Sequence, residues 1–216
     1  MIKLNSYSKW LITLIVLVTI MVLVGGLTRL TGSGLSMVDW RPVYGLLPPL
    51  TLTDWQDVFN QYKQFPEYKL KNYAMTLNEF KRIFYWEYIH RVLGRVIGLI
   101  GIIPILILGL KRNLSKKEIK QGVIINIWII IQGLVGWYMV KSGLIDNPNV
   151  SHYRLALHLS LAFSLYAYLW YCLSKFVKSK PIQNVNTFIK RAIYIFIILI
   201  SLQLIYGAFV AGLKAG

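Results

Sequence analysis

Two histidines, His90 and His158, lie inside apolar stretches that are long enough to cross a membrane. Ionisable side chains are costly within a lipid bilayer, so each histidine marks a candidate functional site. His90 lies eight residues after Arg82, and His158 lies six residues after His152. At about 1.5 Å per residue, the spacing places both rings at a similar depth. Two neutral imidazoles facing each other between packed helices are suitable axial ligands for haem iron. Histidines that pair with polar side chains and bind nothing are the alternative.

Charged residues lie one helical turn from the histidines or from each other. Glu87 lies one turn before His90 on the same helix face, and Arg91 lies one turn after Glu87. Glu87 is therefore either the partner of an ion pair with Arg91 or an acid or base beside a bound substrate. Arg91, Arg95 and Arg154 are candidates to bind haem propionates, and snorkelling to the membrane interface is their alternative role.

Small residues accompany the histidines. Gly94, Gly98 and Gly101 follow His90 at spacings of three or four, which predicts a smooth helix face with room for a flat macrocycle. Gln132 and Gly136 on the next apolar stretch are candidates to line the same cavity, with ordinary packing as the alternative.

The elements that must position these residues are membrane helices. Hydrophobic residues make up 56% of the 216-residue chain, and five stretches approach the roughly 20 residues that span a bilayer. They cover residues 10–27, 88–110, 123–140, 153–173 and 192–213. We predict an all-α multi-pass membrane protein. It comprises a four-helix bundle plus a fifth transmembrane helix, with an outer loop that contains short helices.

The chain carries a net charge of +16, and the charge is concentrated in two connecting loops. Residues 111–120 and 175–191 are rich in Lys and Arg, whereas residues 142–152 contain neither. The positive-inside rule therefore predicts a cytoplasmic N-terminus and places loop 31–82 outside. Since the basic residues flank membrane helices, we interpret the charge as a topology signal and expect no nucleic-acid partner.

The outer loop contains helix-start signals. Thr53 with Gln56, and Thr76 with Glu79, fit the capping-box pattern. The second box predicts a helix that runs unbroken from about Leu77 into the second span. In the short loop 142–152 we expect His152 to be solvated or interfacial. With a single cysteine in the chain, no internal disulfide can form.

Several longer motifs agree with one family. The segments at residues 86–91 (WEYIHR) and 153–159 (YRLALHL) contain the two histidines. Other motifs are found at residues 25–36 (GGLTRLTGSGLS), 40–42 (WRP), 45–49 (GLLPP), 64–68 (QFPEY) and 75–81 (MTLNEFK). Together they resemble heme A synthases, in order, over residues 10–216.

The resemblance implies an enzyme that oxidises the C8 methyl group of heme O to a formyl group for cytochrome oxidase biogenesis. It implies two hydroxylations, with water as the oxygen source. His90 and His158 would ligate the iron of the haem, which is heme O as substrate or heme b. Glu87 would act near the methyl group, by stabilising a cationic intermediate or by handling protons. The implied partners are heme O, membrane lipid, a heme O synthase and a membrane electron donor, with homo-oligomerisation left open. The implied location is the bacterial inner (plasma) membrane.

The chain departs from the family pattern in length. Family members have eight membrane helices in two similar bundles, and the second histidine pair, which holds a heme b, has no counterpart here. We therefore divide the chain into a haem-binding bundle at residues 1–176 and an incomplete second part at residues 177–216. The chain is expected to be a fragment, a truncated gene product or half of a split protein.

Two other functions are alternatives. One is a non-catalytic membrane haem b protein that transfers electrons. The other is half of a transporter, because residues 24–28 resemble residues 210–214. A transporter should contain paired broken helices at the bilayer midplane.

Overall fold

A computed structural model describes residues 5–39, 47–145, 147–176 and 186–215. These residues form seven helices, and the described part contains no β-strand. The helices are α1 (Ser6–Leu30), α2 (Leu52–Tyr62), α3 (Pro66–Leu70), α4 (Leu77–Leu110), α5 (Lys116–Lys141), α6 (His152–Ser174) and α7 (Thr187–Leu213). The all-α prediction is confirmed.

Helices α1, α4, α5, α6 and α7 are long and apolar enough to cross a membrane. Each matches one predicted stretch and extends it, because polar first turns add to the helix without adding to the apolar signal. Each is a single continuous helix in the described residues, so the broken pair expected of a transporter is not found in that part of the chain.

Four helices form a ring. Both α1 and α5 pack against α4 and α6, which places α4 diagonally opposite α6, and α7 packs against the outside of α6. This arrangement confirms the predicted four-helix bundle with a fifth helix. The predicted boundary between residues 176 and 177 adjoins residues 177–185, which lie outside the described residues, and it stays a prediction.

Two apolar clusters fill the molecule at different heights. The bundle core occupies the half in which α1 begins and α6 ends, with Leu11, Leu14 and Leu169 fully buried. The opposite end, which we call the loop face, is where α1 ends, α4 begins and the short helices α2 and α3 lie. There Trp55, Phe59, Tyr62, Phe80 and Phe84 form a second cluster. The layer between the two clusters contains the predicted site.

Capping chemistry sets the helix starts at the loop face. Thr76 and Glu79 form the predicted box at the start of α4. The box of α2 was predicted wrongly, because it uses Thr51 and Asp54, whose carboxylate accepts hydrogen bonds from the backbone N–H groups of residues 50 and 51. The helix therefore begins two residues earlier than the Thr53–Gln56 pattern implied.

His152 was predicted to be solvated or interfacial, and the structure adds a packing contact to this prediction. It is the half-buried first residue of α6, and its ring packs edge-on against Phe209 of α7 with ring centroids 5.5 Å apart. Gly212 allows this contact, since a Cβ atom there would lie 2.6 Å from the Cβ atom of His152. His152 thus joins α7 to the bundle.

Pro104 interrupts the hydrogen-bond ladder of α4, because proline has no N–H to donate to the carbonyl oxygen of Ile100. The indole Nε1 of Trp10 donates to this oxygen at 2.8 Å. Membrane helices tolerate proline when a neighbouring helix satisfies the carbonyl that it frees. Trp10 therefore joins α1 to α4 through a hydrogen bond that the proline makes necessary.

We expect Trp10→Phe to destabilise the protein by about 1–3 kcal/mol, since it leaves a buried carbonyl without a donor. In a Pro104→Ala background, residue 104 has its own N–H and most of this cost should disappear. Unfolding of wild type, Trp10→Phe, Pro104→Ala and the double variant in detergent micelles measures the coupling between the two residues. An equal cost of Trp10→Phe in both backgrounds would show that the indole acts through packing alone.

Candidate functional site

His90 and His158 project from the diagonal pair of helices, α4 and α6, so both can face the axis of the bundle. Both side chains are half-buried. The structure therefore places the two predicted ligands on diagonal helices in the layer between the bundle core and the loop face.

The other two helices of the ring place a glycine against each histidine. A Cβ atom at Gly25 of α1 would lie 3.4 Å from Nε2 of His90. A Cβ atom at Gly136 of α5 would lie 2.9 Å from Cε1 of His158, closer than real Cβ contacts allow. A side chain at residue 136 would therefore displace the ring of His158. All four helices of the ring thus contribute to the site.

Gly94 and Gly101 of α4 have a different role from the predicted one, whereas a Cβ atom at Gly98 would meet no other atom within 4 Å, as the predicted room requires. A Cβ atom at Gly94 would meet the terminal methyl group of Met21 at 3.2 Å, and one at Gly101 would lie 2.7 Å from Oδ1 of Asn126. Asn126 also donates a hydrogen bond to the carbonyl oxygen of Gly101 at 3.0 Å. Gly94 and Gly101 permit close packing of α4 against α1 and α5, and the space they leave is filled by protein.

Glu87 is 3% exposed and accepts hydrogen bonds at both carboxylate oxygens. Oε2 accepts from the hydroxyl of Ser36 and the backbone N–H of Met37, each at 2.8 Å. Oε1 accepts from Nε of Arg91 at 3.1 Å and from its Nη2 at 2.6 Å. Glu87 is therefore a fixed carboxylate, and the ion pair considered from the spacing is present.

Arg91 extends this network to the loop. Its Nη2 donates to the carbonyl oxygen of Met37 at 2.6 Å and its Nη1 to that of Asp39 at 3.3 Å. Together, Glu87 and Arg91 bind residues 36–39 to α4, and we call this arrangement the loop clasp. The sequence reasoning missed Ser36 as a partner of Glu87, although Ser36 ends the 25–36 motif.

Arg154 lies on α6 one turn before His158. Its Nη1 donates to the carbonyl oxygen of Tyr138 at 2.8 Å, and its guanidinium lies 3.7 Å from the centre of the Tyr138 ring. Beside Arg91, a cavity of about 160 Å³ opens between α4, α5 and the loop. Its other lining residues include Met37, Val38, Trp137 and Lys141. Arg91 and Lys141 make this cavity suitable for an anionic group.

The loop contains a buried carboxyl group that the sequence reasoning did not single out. Glu67 of α3 is 7% exposed and accepts a hydrogen bond from the hydroxyl of Tyr62 at 3.1 Å. Asn72 donates in turn to that hydroxyl at 2.7 Å. Burial raises the pKa of Glu67 to about 7, because the charged form is poorly solvated inside the loop.

This shift predicts a loop that weakens as the pH rises. The folded state holds its proton more tightly than the unfolded chain, whose carboxyl has a pKa near 4.5, so stability is lost between about pH 4.5 and pH 7. The loss is on the order of 3 kcal/mol. Glu67→Gln should remove this pH-dependent loss of stability. Thermal unfolding of wild type and Glu67→Gln at several pH values measures the difference in stability between them. Asp57→Asn changes an exposed carboxyl on α2 and is the control. A pH-independent gap between wild type and Glu67→Gln contradicts the prediction.

The residues present fit a haem. His90 and His158 supply two imidazoles on diagonal helices, and Gly25 and Gly136 keep the flanking helices close to the rings. Oε1 of Gln132, beside His158, is buried and has no hydrogen-bond partner among the residues that the structure describes, as expected of a group adapted to another state of the site. In the described part of the chain, no cluster of three or more His, Cys, Asp or Glu side chains offers a different metal site.

Comparison with known proteins agrees with this chemistry. The sequence profile of the cytochrome oxidase assembly protein family (COX15-CtaA) matches residues 8–216. The chain belongs to this family. Its relatives include the heme A synthase of Rickettsia bellii (strain OSU 85-389), 44% identical over 98% of this chain and 64% of the relative. The heme A synthase of Flavobacterium psychrophilum is 47% identical over 98% of this chain and 63% of the relative. No solved structure shows a significant match.

Membership in the cytochrome oxidase assembly protein family confirms the predicted resemblance. The chain spans less than two thirds of the length of these relatives. The five apolar helices, together with bacterial relatives, identify a multi-pass membrane protein of bacterial type. The remaining questions are which ligand the histidine pair binds and which reaction follows.

Proposed function

We propose that this chain binds heme O between His90 and His158 and takes part in its oxidation to heme A. The observation that carries the proposal is the placement of the two histidines on diagonal helices of the bundle, each against a glycine of a flanking helix. The name of the relatives, heme A synthase, supplies the product, and the resemblance of the sequence motifs implies heme O as the substrate.

The two imidazoles would hold the haem iron, which fixes the plane of the macrocycle between α4 and α6. Arg91 and Arg154 lie on the loop-face side of the histidines and are suited to meet the propionates. Arg91 is free to do so only in part, because its four hydrogen bonds hold the loop clasp. In this assignment the propionates would lie towards the loop face.

The reaction requires removal of four electrons. Converting a methyl group and one water into a formyl group releases four protons and four electrons. The membrane partner must therefore accept electrons in net terms, whereas the resemblance had led us to expect an electron donor. A membrane-bound electron carrier would meet this requirement.

Glu87 is suited to act through its charge. The carboxylate oxygens of Glu87 accept four hydrogen bonds, two of them from the guanidinium of Arg91, so the carboxylate is fixed in position one turn from His90. A fixed negative charge stabilises positive charge that develops on the oxidised carbon, without the cost of reorganising solvent. Of the two roles considered from the resemblance, this geometry favours charge stabilisation over proton transfer.

The orientation belongs to the same proposal. The basic segment between α4 and α5 lies at the end of the bundle opposite the loop face. By the positive-inside rule this end is cytoplasmic, with the N-terminus in the cytoplasm and the loop face outside. The five apolar helices and the bacterial relatives support the bacterial inner membrane as the location in this proposal.

The test is to express the chain in cells that contain a heme O synthase but no other heme A synthase, and to extract their haems. Appearance of heme A supports the proposal. If the purified chain contains haem while the cells hold only heme O, the catalytic part of the proposal is wrong and a non-catalytic electron-transfer role is favoured. The matched control is the His90→Ala, His158→Ala chain at equal abundance.

A further inference from the structure

Gln132 on α5 contacts His158 in an incomplete way. Its Nε2 donates to the backbone carbonyl oxygen of His158 at 3.0 Å. The same atom lies 3.3 Å from Nδ1 and 3.3 Å from Nε2 of the ring, so it is aimed fully at neither nitrogen. The amide oxygen, Oε1, is buried and accepts no hydrogen bond from the described part of the chain. The amide N–H group therefore makes a hydrogen bond, whereas the amide oxygen has no donor among the described residues.

An unused buried amide oxygen requires a physical explanation. Leaving such an acceptor without a donor costs about 1–3 kcal/mol, which is why most buried polar atoms are paired. Gln132 tolerates this cost beside a histidine whose ring nitrogens have no other hydrogen-bond partner among the described residues. We therefore expect Oε1 of Gln132 to gain a donor when the protonation or ligation of the His158 ring changes.

Ligation of iron supplies that donor. A neutral histidine that binds a metal through Nε2 must carry its proton on Nδ1, which then becomes a hydrogen-bond donor. Such a donor is usually paired, and its partner orients the ring and increases the basicity of the ligand. The amide nitrogen of Gln132 lies 3.3 Å from Nδ1, where this proton would be found, and equally far from Nε2, so the amide is within reach of the proton.

We propose that Gln132 is a positioning residue whose amide spans His158, with its N–H on the backbone carbonyl and its oxygen accepting the Nδ1 proton when the ring binds haem iron. This inference rests on the proposed function, because it requires that His158 be a haem ligand. It adds a specific acceptor that sets the tautomer and the electron density of one ligand.

The site is asymmetric in this respect. Within the described ranges, the ring of His90 has no hydrogen-bond partner and lies against Gly25. The acceptor therefore acts on one axial ligand only, and its effect on the iron must pass through His158.

The expected effect is on the relative stability of the two oxidation states. A more basic imidazole stabilises ferric over ferrous iron, so the acceptor lowers the midpoint potential. Gln132→Leu removes the acceptor, and we expect the ratio of ferric to ferrous affinity to fall about tenfold, within the range of outer-ligand effects. For one electron this corresponds to a rise of about 59 mV. Gln132→Glu provides a stronger acceptor and should shift the potential in the opposite direction.

The experiment is redox titration of the full chain reconstituted with ferric haem b in detergent. Wild type, Gln132→Leu and Gln132→Glu are compared, and the low-spin ferric spectrum is recorded for each. Gln121→Leu is the matched control, because it makes the same change on α5 about 16 Å along the helix from Gln132. It should leave the potential unchanged.

Opposite shifts in the two Gln132 variants support the inference. An unchanged potential, or equal shifts in one direction for both variants, overturns it, since either result indicates packing alone. If the wild-type chain takes up no haem, both the inference and the ligand assignment are wrong. If the shifts occur but cells form no heme A, only the catalytic part of the proposed function fails.

Discussion

Replacing either His90 or His158 with alanine is expected to abolish the six-coordinate haem spectrum of the purified chain. Each substitution removes one of two axial ligands, and the neighbouring helices offer no substitute imidazole, because the third histidine of the chain, His152, packs against Phe209. Even changes behind a metal ligand weaken binding by about 10–100-fold, so loss of the ligand itself should cost at least about 100-fold. Titration of the purified variants with haem, followed in the Soret region, measures the effect.

The chain provides a matched control for this experiment. His152→Ala removes an imidazole from the same helix as His158, yet keeps the Cβ atom that contacts Gly212. Its haem spectrum should equal that of wild type. Free imidazole should restore a six-coordinate spectrum to His158→Ala, because the cavity left by the side chain lies beside the iron. A Soret band of normal intensity in the double His90→Ala, His158→Ala variant would contradict the ligand assignment.

The second large effect is expected from Glu87→Gln, which should reduce heme A formation by about 100-fold or more while haem still binds. The substitution keeps the size of the side chain and removes its charge, and loss of one preorganised electrostatic contact costs about 10²–10³-fold in an enzyme. Quantification of extracted heme O and heme A, normalised to the haem-loaded chain, measures the rate effect separately from binding.

A purely structural role of Glu87 predicts a different result for stability and heme A formation. Ser36→Ala removes one donor of the loop clasp and leaves the charge of Glu87 in place. It should lower stability by about 1 kcal/mol and reduce heme A formation far less than Glu87→Gln does. If both variants lose haem binding and stability in parallel with activity, Glu87 serves only to hold residues 36–39 on α4.

Local patterns determined most of the fold. The lengths of the apolar stretches defined all five membrane helices, since a helix that crosses a bilayer must be long and apolar. The Thr76–Glu79 box located the start of α4 because a capping box involves residues only three apart. The prediction from the Thr53–Gln56 pattern was wrong, because Thr51, two residues earlier, forms a competing capping box with Asp54. Two boxes of the same local kind cannot be ranked from spacing alone.

For the candidate site, the sequence determined less and the tertiary structure determined more. The sequence by itself identified His90 and His158, because ionisable side chains in apolar stretches are rare and costly. It determined their similar depth through the constant rise of a helix. Only the tertiary structure decided that α4 and α6 are diagonal, and that Gly25 and Gly136, not the glycines of α4, lie against the rings. Likewise, the partners of Glu87 at residues 36 and 37 are about 50 residues away along the chain. Helical periodicity relates residues one or two turns apart, whereas the rotation and order of helices depend on how all their faces pack together.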